Sequence, residues 1–330
     1  MVFWEALLER GVNVTKYYVG IDTSAYTTSL AVIDNDDNVV LDLRKILKVK
    51  EGNKGLRQQE AVFQHINNLP ILIEDMANTI DIFNIVNISC SSKPRNIEES
   101  YMPVFMVGKG QAFILSKVLG TVYQEFSHQE GHIGAGIMDN ELREKNKFIS
   151  LHISGGTTEL LLVENQGDNF KIDIIGGALD LSVGQLIDRI GVQLGYIFPC
   201  GKRMDEVSTK GKILDFNIPI KIKDDTWFNL SGMENYFKRL IDNHSYRVED
   251  ILVALFRTIA FFIYEIITNS CIKYNIDNVL ITGGVAANKL VRQFLEVELN
   301  KKKIFSYFPN RKLCTDNAVG VAYMGKSKIF

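Results

Sequence analysis

Two stretches of this 330-residue chain open in the same way, and that repetition constrains the fold more than any other feature. "YYVGIDTSAYTTSLAVID", from Tyr17, reads as an apolar strand, a small polar turn and a second strand, with a third strand at "NVVLDLRKIL". "KFISLHISGGTTELLLVE", from Lys147, reads the same way, and "FKIDIIGG" supplies its third strand. Each carries a Thr-Thr pair shortly before a leucine, directly after the tight turn. A repeat of this kind, spaced by about 130 residues, points to a duplicated α/β unit. Two such domains facing each other would leave a cleft between their turns, where ligand pockets commonly form.

Between the two openings, "QQEAVFQHINNLPILIEDMANTI" has apolar residues at helical spacing, followed by the strand "IVNISC" and the loop "SSKPRNIEESYMP". A helix beginning near Val104 is expected to lead towards a pair of histidines. The most apolar later segment, "ILVALFRTIAFFIYEII" (251–267), carries Arg257 and Glu265 and falls short of a membrane span, so it reads as a mostly buried helix. The expected organisation is an N-terminal extension over 1–16, a first domain over 17–146 completed by a C-terminal helix over 317–330, and a second domain over 147–316.

With 46% hydrophobic residues the chain has material for a sizeable core. Its formal net charge of -2 supplies no global field for a polyanion. A nucleic-acid partner would need a local basic patch or help from another protein. Residues 48–57, Lys202 with Arg203, residues 300–303, and Arg311 with Lys312 are the candidates, although most such clusters are solvated faces. Cys90, Cys200, Cys271 and Cys314 are far apart and form no CxxC pair, which suits a reducing cytosol rather than a disulfide framework. Glu5 and Glu9 make the first residues a poor signal peptide. A cytoplasmic protein without membrane association is expected.

Three turns qualify as phosphate cradles, because glycines after a strand let the backbone approach a ligand closely. Ser154, Gly155 and Gly156 form one, and Asp22, Thr23 and Ser24 occupy the equivalent turn of the first unit. The third is "NVLITGGVAANKLV", a strand, Gly283-Gly284 and a helix start near Ala286, which would put Asn288 in the first helical turn. Each Gly-Gly alone is more often a plain turn. Three after apolar strands favour nucleotide binding. Neither the G-x-G-x-x-G fingerprint nor the Walker lysine loop is present.

"SHQEGHIGAG" places His128 and His132 four residues apart, so on a helix both imidazoles share one face. Such a pair is either a metal site or two ordinary side chains. Glu130 is not where the zincin HExxH puts its base, so a protease mechanism lacks its base. Asp316 in "LCTDNAVGVAYMG" is a candidate third ligand, and two histidines with one carboxylate suit iron(II) or similar ions. The competing role for Asp316 is a helix N-cap.

The ordered set "GIDTS", "HQEGH", "HISGGTTEL", "FPCG", "ITGGVAAN" and "CTDNA" resembles the TsaD/YgjD family, formerly called glycoprotease, over nearly the whole chain from Tyr17. The resemblance implies a two-domain actin/hexokinase-like (ASKHA) α/β fold with an interdomain cleft. It implies transfer of threonylcarbamoyl from threonylcarbamoyl-AMP to N6 of adenosine 37 in tRNA, or a closely related carbamoyl transfer, with one divalent metal, iron or zinc. ATP or AMP is the related nucleotide ligand. By the same resemblance His128, His132 and Asp316 are the catalytic metal ligands, and Ser154, Gly155 and Gly156 the nucleotide loop. Asp188 stands at a ribose-contacting aspartate, Gly201 at a glycine of "YPGGP", Asn288 at the asparagine of "GGVAAN", and Asp205 at a further ligand contact. His152 stands where archaeal members place an additional metal ligand. TsaB-like and TsaE-like subunits are the implied partners, with tRNA reached through accessory proteins.

The departures mark a divergent paralogue. "SAYTT" stands for "SCDET", "SSKPRNIEESYMPVF" for the "GPGL" loop, "SGGTT" for "SGGHT", and Gln185 for a glutamate. A nucleotide-binding scaffold or regulator of a true TsaD is the alternative from another functional class.

Overall fold

The computed structural model describes residues 15–24, 26–49, 56–167, 169–214 and 221–327. The N-terminal extension, but for Thr15 and Lys16, and the middle of the basic stretch at 48–57 lie outside these residues. The chain divides into two compact units, one formed by the residues up to Met138 with those from Asp316 onward, the other by Asp139–Thr315.

In the first unit the chain runs β1 (Tyr17–Asp22), β2 (Thr27–Ile33), β3 (Val39–Ile46), α1 (Gln58–Ala77), β4 (Ile85–Lys93), α2 (Phe105–Leu119), β5 (Val122–Ser127) and α3 (His128–Ile137). The sheet order is β3-β2-β1-β4-β5. β1, β2 and β3 form an antiparallel meander, while β4 and β5 run parallel to β1. β1 is an almost unbroken apolar run because it lies in the middle of the sheet and is covered on both faces. Edge strand β3 is half exposed and mixed in character.

The expected helix from Val104 to the histidines is interrupted. Gly120 takes a left-handed conformation (φ 66°) and ends α2, and β5 intervenes before α3. The short alternating run "VYQEFS" prefers the open edge beside β4 to continued helix.

The second unit repeats the plan with β6 (Lys147–Ile153), β7 (Thr158–Asn165) and β8 (Phe170–Ala178). Then come α4 (Val183–Gln193), α5 (Gly201–Ser208), β9 (Ile222–Lys223), β10 (Trp227–Phe228), α6 (Ser231–Asp242), α7 (Val248–Tyr274), β11 (Asn278–Thr282), α8 (Lys289–Lys301) and β12 (Phe305–Tyr307). The final helix, α9 (Val319–Ser327), returns to the first unit.

This sheet is ordered β12-β11-β6-β7-β8-β10-β9. Leaving aside the short β10 and β9, it is the same pattern, with β6-β7-β8 antiparallel and β11 and β12 parallel to β6. The repeat in the sequence is therefore a repeat of topology. Helix α7 is long and apolar enough to cross a membrane, yet 67% of its most apolar window is buried within the protein. Phe256, Ile259, Ile263 and Ile267 lie in the second unit's core, and each buried side chain contributes about 1.5–3 kcal/mol relative to exposure.

Candidate metal and nucleotide sites

α3 begins abruptly at His128. Ser127 caps it by accepting from the Glu130 N–H, and Glu130 returns the contact to the Ser127 backbone N–H at 2.7 Å. The Glu130 carboxylate is committed to this box, so it serves no histidine. The tight start fixes the rings of His128 and His132 one turn apart, with centroids separated by 4.5 Å.

Asp316 reaches them from the other end of the unit's chain. The carbonyl of Asn317's side chain accepts from the N–H groups of Val319 and Gly320, so Asn317 satisfies the first turn of α9. α3 and α9 meet on glycines. A Cβ added to Gly320 would lie 1.8 Å from the Gly131 carbonyl oxygen, and one added to Gly134 would lie 2.7 Å from the Gly320 carbonyl oxygen. Only side chains of this size let the two helices approach closely enough to bring Asp316 to the histidine face.

The three groups form a triangle. Nε2 of His128 and Nε2 of His132 are 3.1 Å apart, and Asp316 Oδ1 lies 3.7 Å from the first and 3.6 Å from the second. A circle through these atoms has a radius of about 2.0 Å, which matches metal–nitrogen and metal–carboxylate distances of about 2.0–2.2 Å. One cation at its centre would touch all three ligand atoms. The donor set of two imidazoles and one carboxylate suits a transition-metal dication and leaves coordination positions open.

A further carboxylate completes the arrangement. Asp22, at the end of β1 and only 1% exposed, places Oδ2 2.7 Å from Nδ1 of His128. This is the carboxylate–histidine contact that orients a metal-bound ring and raises its basicity. Burial alone would lower the pKa of His128, but the charge and hydrogen bond of Asp22, with Asp316 adding to them, outweigh it and hold the imidazole at about 9. His132 shifts the other way, lowered by burial and then by the positive charge of His128. Arg44 on β3 grips Asp42 through two hydrogen bonds of 2.7 and 2.6 Å and donates to the Asp316 backbone carbonyl at 3.3 Å. Sequence reasoning singled out neither Asp22 in this role nor Arg44. Asp22 was visible only as part of a small polar turn.

The other expected residues belong to the second unit. His152 on β6 faces Thr282 of β11, with Nδ1 3.2 Å from Thr282 Oγ1. Ser154 closes the turn after β6, its Oγ accepting from the N–H groups of Gly156 and Thr157. A Cβ on Gly155 would meet no atom within 4 Å, and one on Gly201 likewise. Their lack of a side chain is thus not demanded by packing. Gly184 differs, since its Cβ would strike the Ser154 carbonyl oxygen at 2.4 Å, so it seats α4 directly against the turn.

Asp188 on α4 accepts from the Cys200 N–H at 2.7 Å and holds the segment that starts α5 at Gly201. Asp205 on α5 accepts from the Lys289 N–H at 3.1 Å, and so ties α5 to the start of α8. Burial raises the pKa of both carboxyls, while these amide contacts pull it down in part.

Asn288 was expected inside the first turn of a helix starting near Ala286, and it instead precedes a helix that starts at Lys289. A 3-10 turn occupies Gly284–Ala287, and Asn288 is the N-cap of α8, accepting from the Val291 N–H at 2.9 Å. Gly283, with φ 93° and its Cβ position against the Ile153 backbone, forces that break. Of the basic clusters, Arg203 pairs with Glu206 and Lys301 with Glu298.

The chain is similar to known proteins over most of its length. The family profile described as "TsaD: tRNA N6-adenosine threonylcarbamoyltransferase" matches residues 48–323. A relative of that name from Sulfurihydrogenibium sp. is 30% identical over 312 residues, covering 93% of this chain and 89% of that protein. Another, from Thermotoga neapolitana, is 28% identical over 317 residues, covering 94% and 93%.

Among solved structures, T. kodakarensis HypF superposes with a TM-score of 0.62 at 13% identity, over 96% of this chain and 48% of that one. A ROK family glucokinase from Streptomyces griseus gives 0.53 at 9%, over 94% and 98%. These likenesses place the fold among actin/hexokinase-like proteins. With the profile matching residues 48–323, which include His128, His132, Asp316 and the turns of the second unit, and with relatives matching more than nine-tenths of its length, the chain belongs to the TsaD family of tRNA N6-adenosine threonylcarbamoyltransferases.

Proposed function

We propose that this protein transfers a threonylcarbamoyl group from threonylcarbamoyl-AMP to N6 of adenosine 37 in tRNA. The observation that carries the reading is the triangle of His128, His132 and Asp316, sized for one dication and backed by Asp22, in a chain of this family. A scaffold would have no need for three convergent ligands and a buried carboxylate that orients one of them.

The donor is a mixed anhydride and already activated, so the chain need supply no covalent nucleophile. The adenine amine attacks the carbamoyl carbon, the bond from that carbon to the phosphate oxygen breaks, AMP departs with the bonding pair, and the proton lost from the amine passes to solvent. An iron or zinc ion held by His128, His132 and Asp316 would contribute Lewis acidity and a template at that centre. In the turn Ser154-Gly155-Gly156 the two glycines leave the backbone open to the phosphate.

Asp188, Gly201, Asp205 and Asn288 form the nucleoside wall, Asn288 through its side-chain amide nitrogen because its oxygen is committed to the helix. Asp188 and Asp205, each already accepting an amide proton, retain acceptor capacity for ribose hydroxyls. His152 joins as an additional metal contact in this reading. Metal analysis of His152→Ala checks it: weakened binding supports the role, and undiminished affinity removes it.

tRNA docks through accessory subunits of the TsaB-like and TsaE-like kind, because the net charge of -2 gives the chain little attraction of its own for a polyanion. The reducing cytoplasm suits its four free, buried cysteines. The experiment is nucleoside analysis of tRNA after deletion of the gene. Loss of threonylcarbamoyladenosine, restored by the wild-type gene, supports the assignment. Unchanged tRNA contradicts it.

A further inference from the structure

Strand alternation sorts the first sheet's residues onto two faces. Ile21, Leu30 and Leu43 stand opposite one another on β1, β2 and β3, and they pack into the core with Leu69 and Leu72 of α1. Their immediate neighbours share the other face, where the register lines up Asp22, Ser29 and Arg44 as one row across the three strands. The segment leading into α9 lies against this face. A Cβ on Gly20, two residues before Asp22, would come 2.2 Å from the Ala318 carbonyl oxygen.

Both ends of the row reach the triangle. Asp22 places Oδ2 2.7 Å from Nδ1 of His128, and Arg44 donates through Nη1 to the main-chain carbonyl of Asp316 at 3.3 Å. His128 and His132 ride on α3, whose backbone is set by its own helical hydrogen bonds and the Ser127 cap. Asp316 precedes α9, which begins at Val319, and so stands outside that helical ladder. Its carbonyl and its side chain branch from one Cα, so anchoring the carbonyl restricts where the carboxylate can point. Asp42, two residues before Arg44 and therefore on the same face, accepts from Nε and Nη2 at 2.7 and 2.6 Å. This two-point grip holds the planar guanidinium with Nη1 towards Asp316.

We propose that Arg44, oriented by Asp42, is a positioning residue of the metal site, holding the Asp316 peptide so that its carboxylate faces His128 and His132. The proposal rests on the metal reading of those three residues. It makes edge strand β3 part of the site, although Arg44 touches no ligand atom of the triangle.

Charge and position make opposite predictions. A guanidinium near a dication site repels the ion, so an Arg44 that acted by charge alone would, on removal, let zinc bind more tightly. An Arg44 that holds Asp316 would, on removal, let zinc bind more weakly.

The test is the zinc affinity of the purified full chain, measured by competition with a chromogenic chelator. Arg44→Met keeps an aliphatic stem and loses the fork. Arg44→Lys keeps the charge, but its single ammonium cannot span Asp42 and the Asp316 carbonyl as the fork does. Zinc binding is expected to weaken about five- to tenfold in both, with both melting like the wild type when zinc is withheld. In an Asp316→Ala background, with no carboxylate left to position, Arg44→Met is expected to add less than about twofold.

Unchanged or tighter zinc binding in Arg44→Met overturns the proposal, as does a full additional loss in the Asp316→Ala background. Lower zinc-free melting in both variants assigns Arg44 to the stability of the sheet edge and also overturns it. Failure of the unsubstituted protein to bind zinc overturns the metal reading itself, and the proposal with it.

Discussion

Asp22 shows how much a single side chain can decide. It is buried at 1% exposure, and its two oxygens serve different masters, Oδ1 the Ser24 amide and Oδ2 the His128 ring. Asp22→Asn keeps the size and loses the charge. The variant is expected to fold normally while its divalent-metal affinity falls about 10- to 100-fold, measured by equilibrium competition with a chelator.

Spacing and residue type made the histidine pair and Asp316 candidates, the resemblance joined them into one ligand set, and the structure brings the three side chains together. Their partner was not legible, because Asp22 and His128 are separated by 106 positions and a small polar turn gives no sign of which way its carboxylate faces. Asp316 was equally readable as a helix cap. Asn317, the next residue, accepts from the Val319 N–H at the start of α9.

At the scale of elements, the site depends on two helices crossing at close range. Gly320→Ala would drive a methyl group into the Gly131 backbone, and neither backbone can yield without moving α3 or α9. The expected cost is about 1–3 kcal/mol, seen as a lower thermal midpoint, with metal affinity reduced alongside it. Gly201→Ala, where the added carbon meets nothing within 4 Å, is the control and should leave stability unchanged to within about 0.5 kcal/mol. These glycines stood in plain view as "GHIGAG" and "AVGVAYMG". What sequence alone lacked was which helix each would face.

In the second unit, Glu234 on α6 ties α4 to its own helix, contacting Arg189 at 3.0 Å and Lys238 at 2.6 Å. Burial would raise its pKa, but the two cations together hold it below the usual glutamate range. A depressed folded pKa contributes stability above the unfolded value, near 4.3, that is lost as pH falls through the folded value. Glu234→Gln should therefore melt lower than wild type at pH 7, and the gap should shrink towards pH 4. Because both cations are largely exposed, the gap at pH 7 is about 1 kcal/mol or less.

At the scale of the whole molecule, the duplication was legible because strand-turn-strand patterning is local. The two sheet orders then follow from pairing each later strand parallel to the first strand of its unit. The interruption by β5 was not legible, since six residues of mixed character can extend a helix or pair at an edge.

The four cysteines offer a global check on packing. All are buried, and burial pushes the thiols up, Cys90 and Cys271 to about 12 and Cys200 to about 11. The native protein is expected to resist alkylation at pH 8, while the denatured chain reacts at all four positions, as counted by intact mass.

The central claim is that His128, His132 and Asp316 together serve threonylcarbamoyl transfer. Its most direct test is transfer of labelled threonine from threonylcarbamoyl-AMP to tRNA by the assembled enzyme, comparing wild type with a folded Asp316→Asn variant. The variant's rate is expected to fall at least about 100-fold. An Asp316→Asn enzyme that modifies tRNA at the wild-type rate would contradict it.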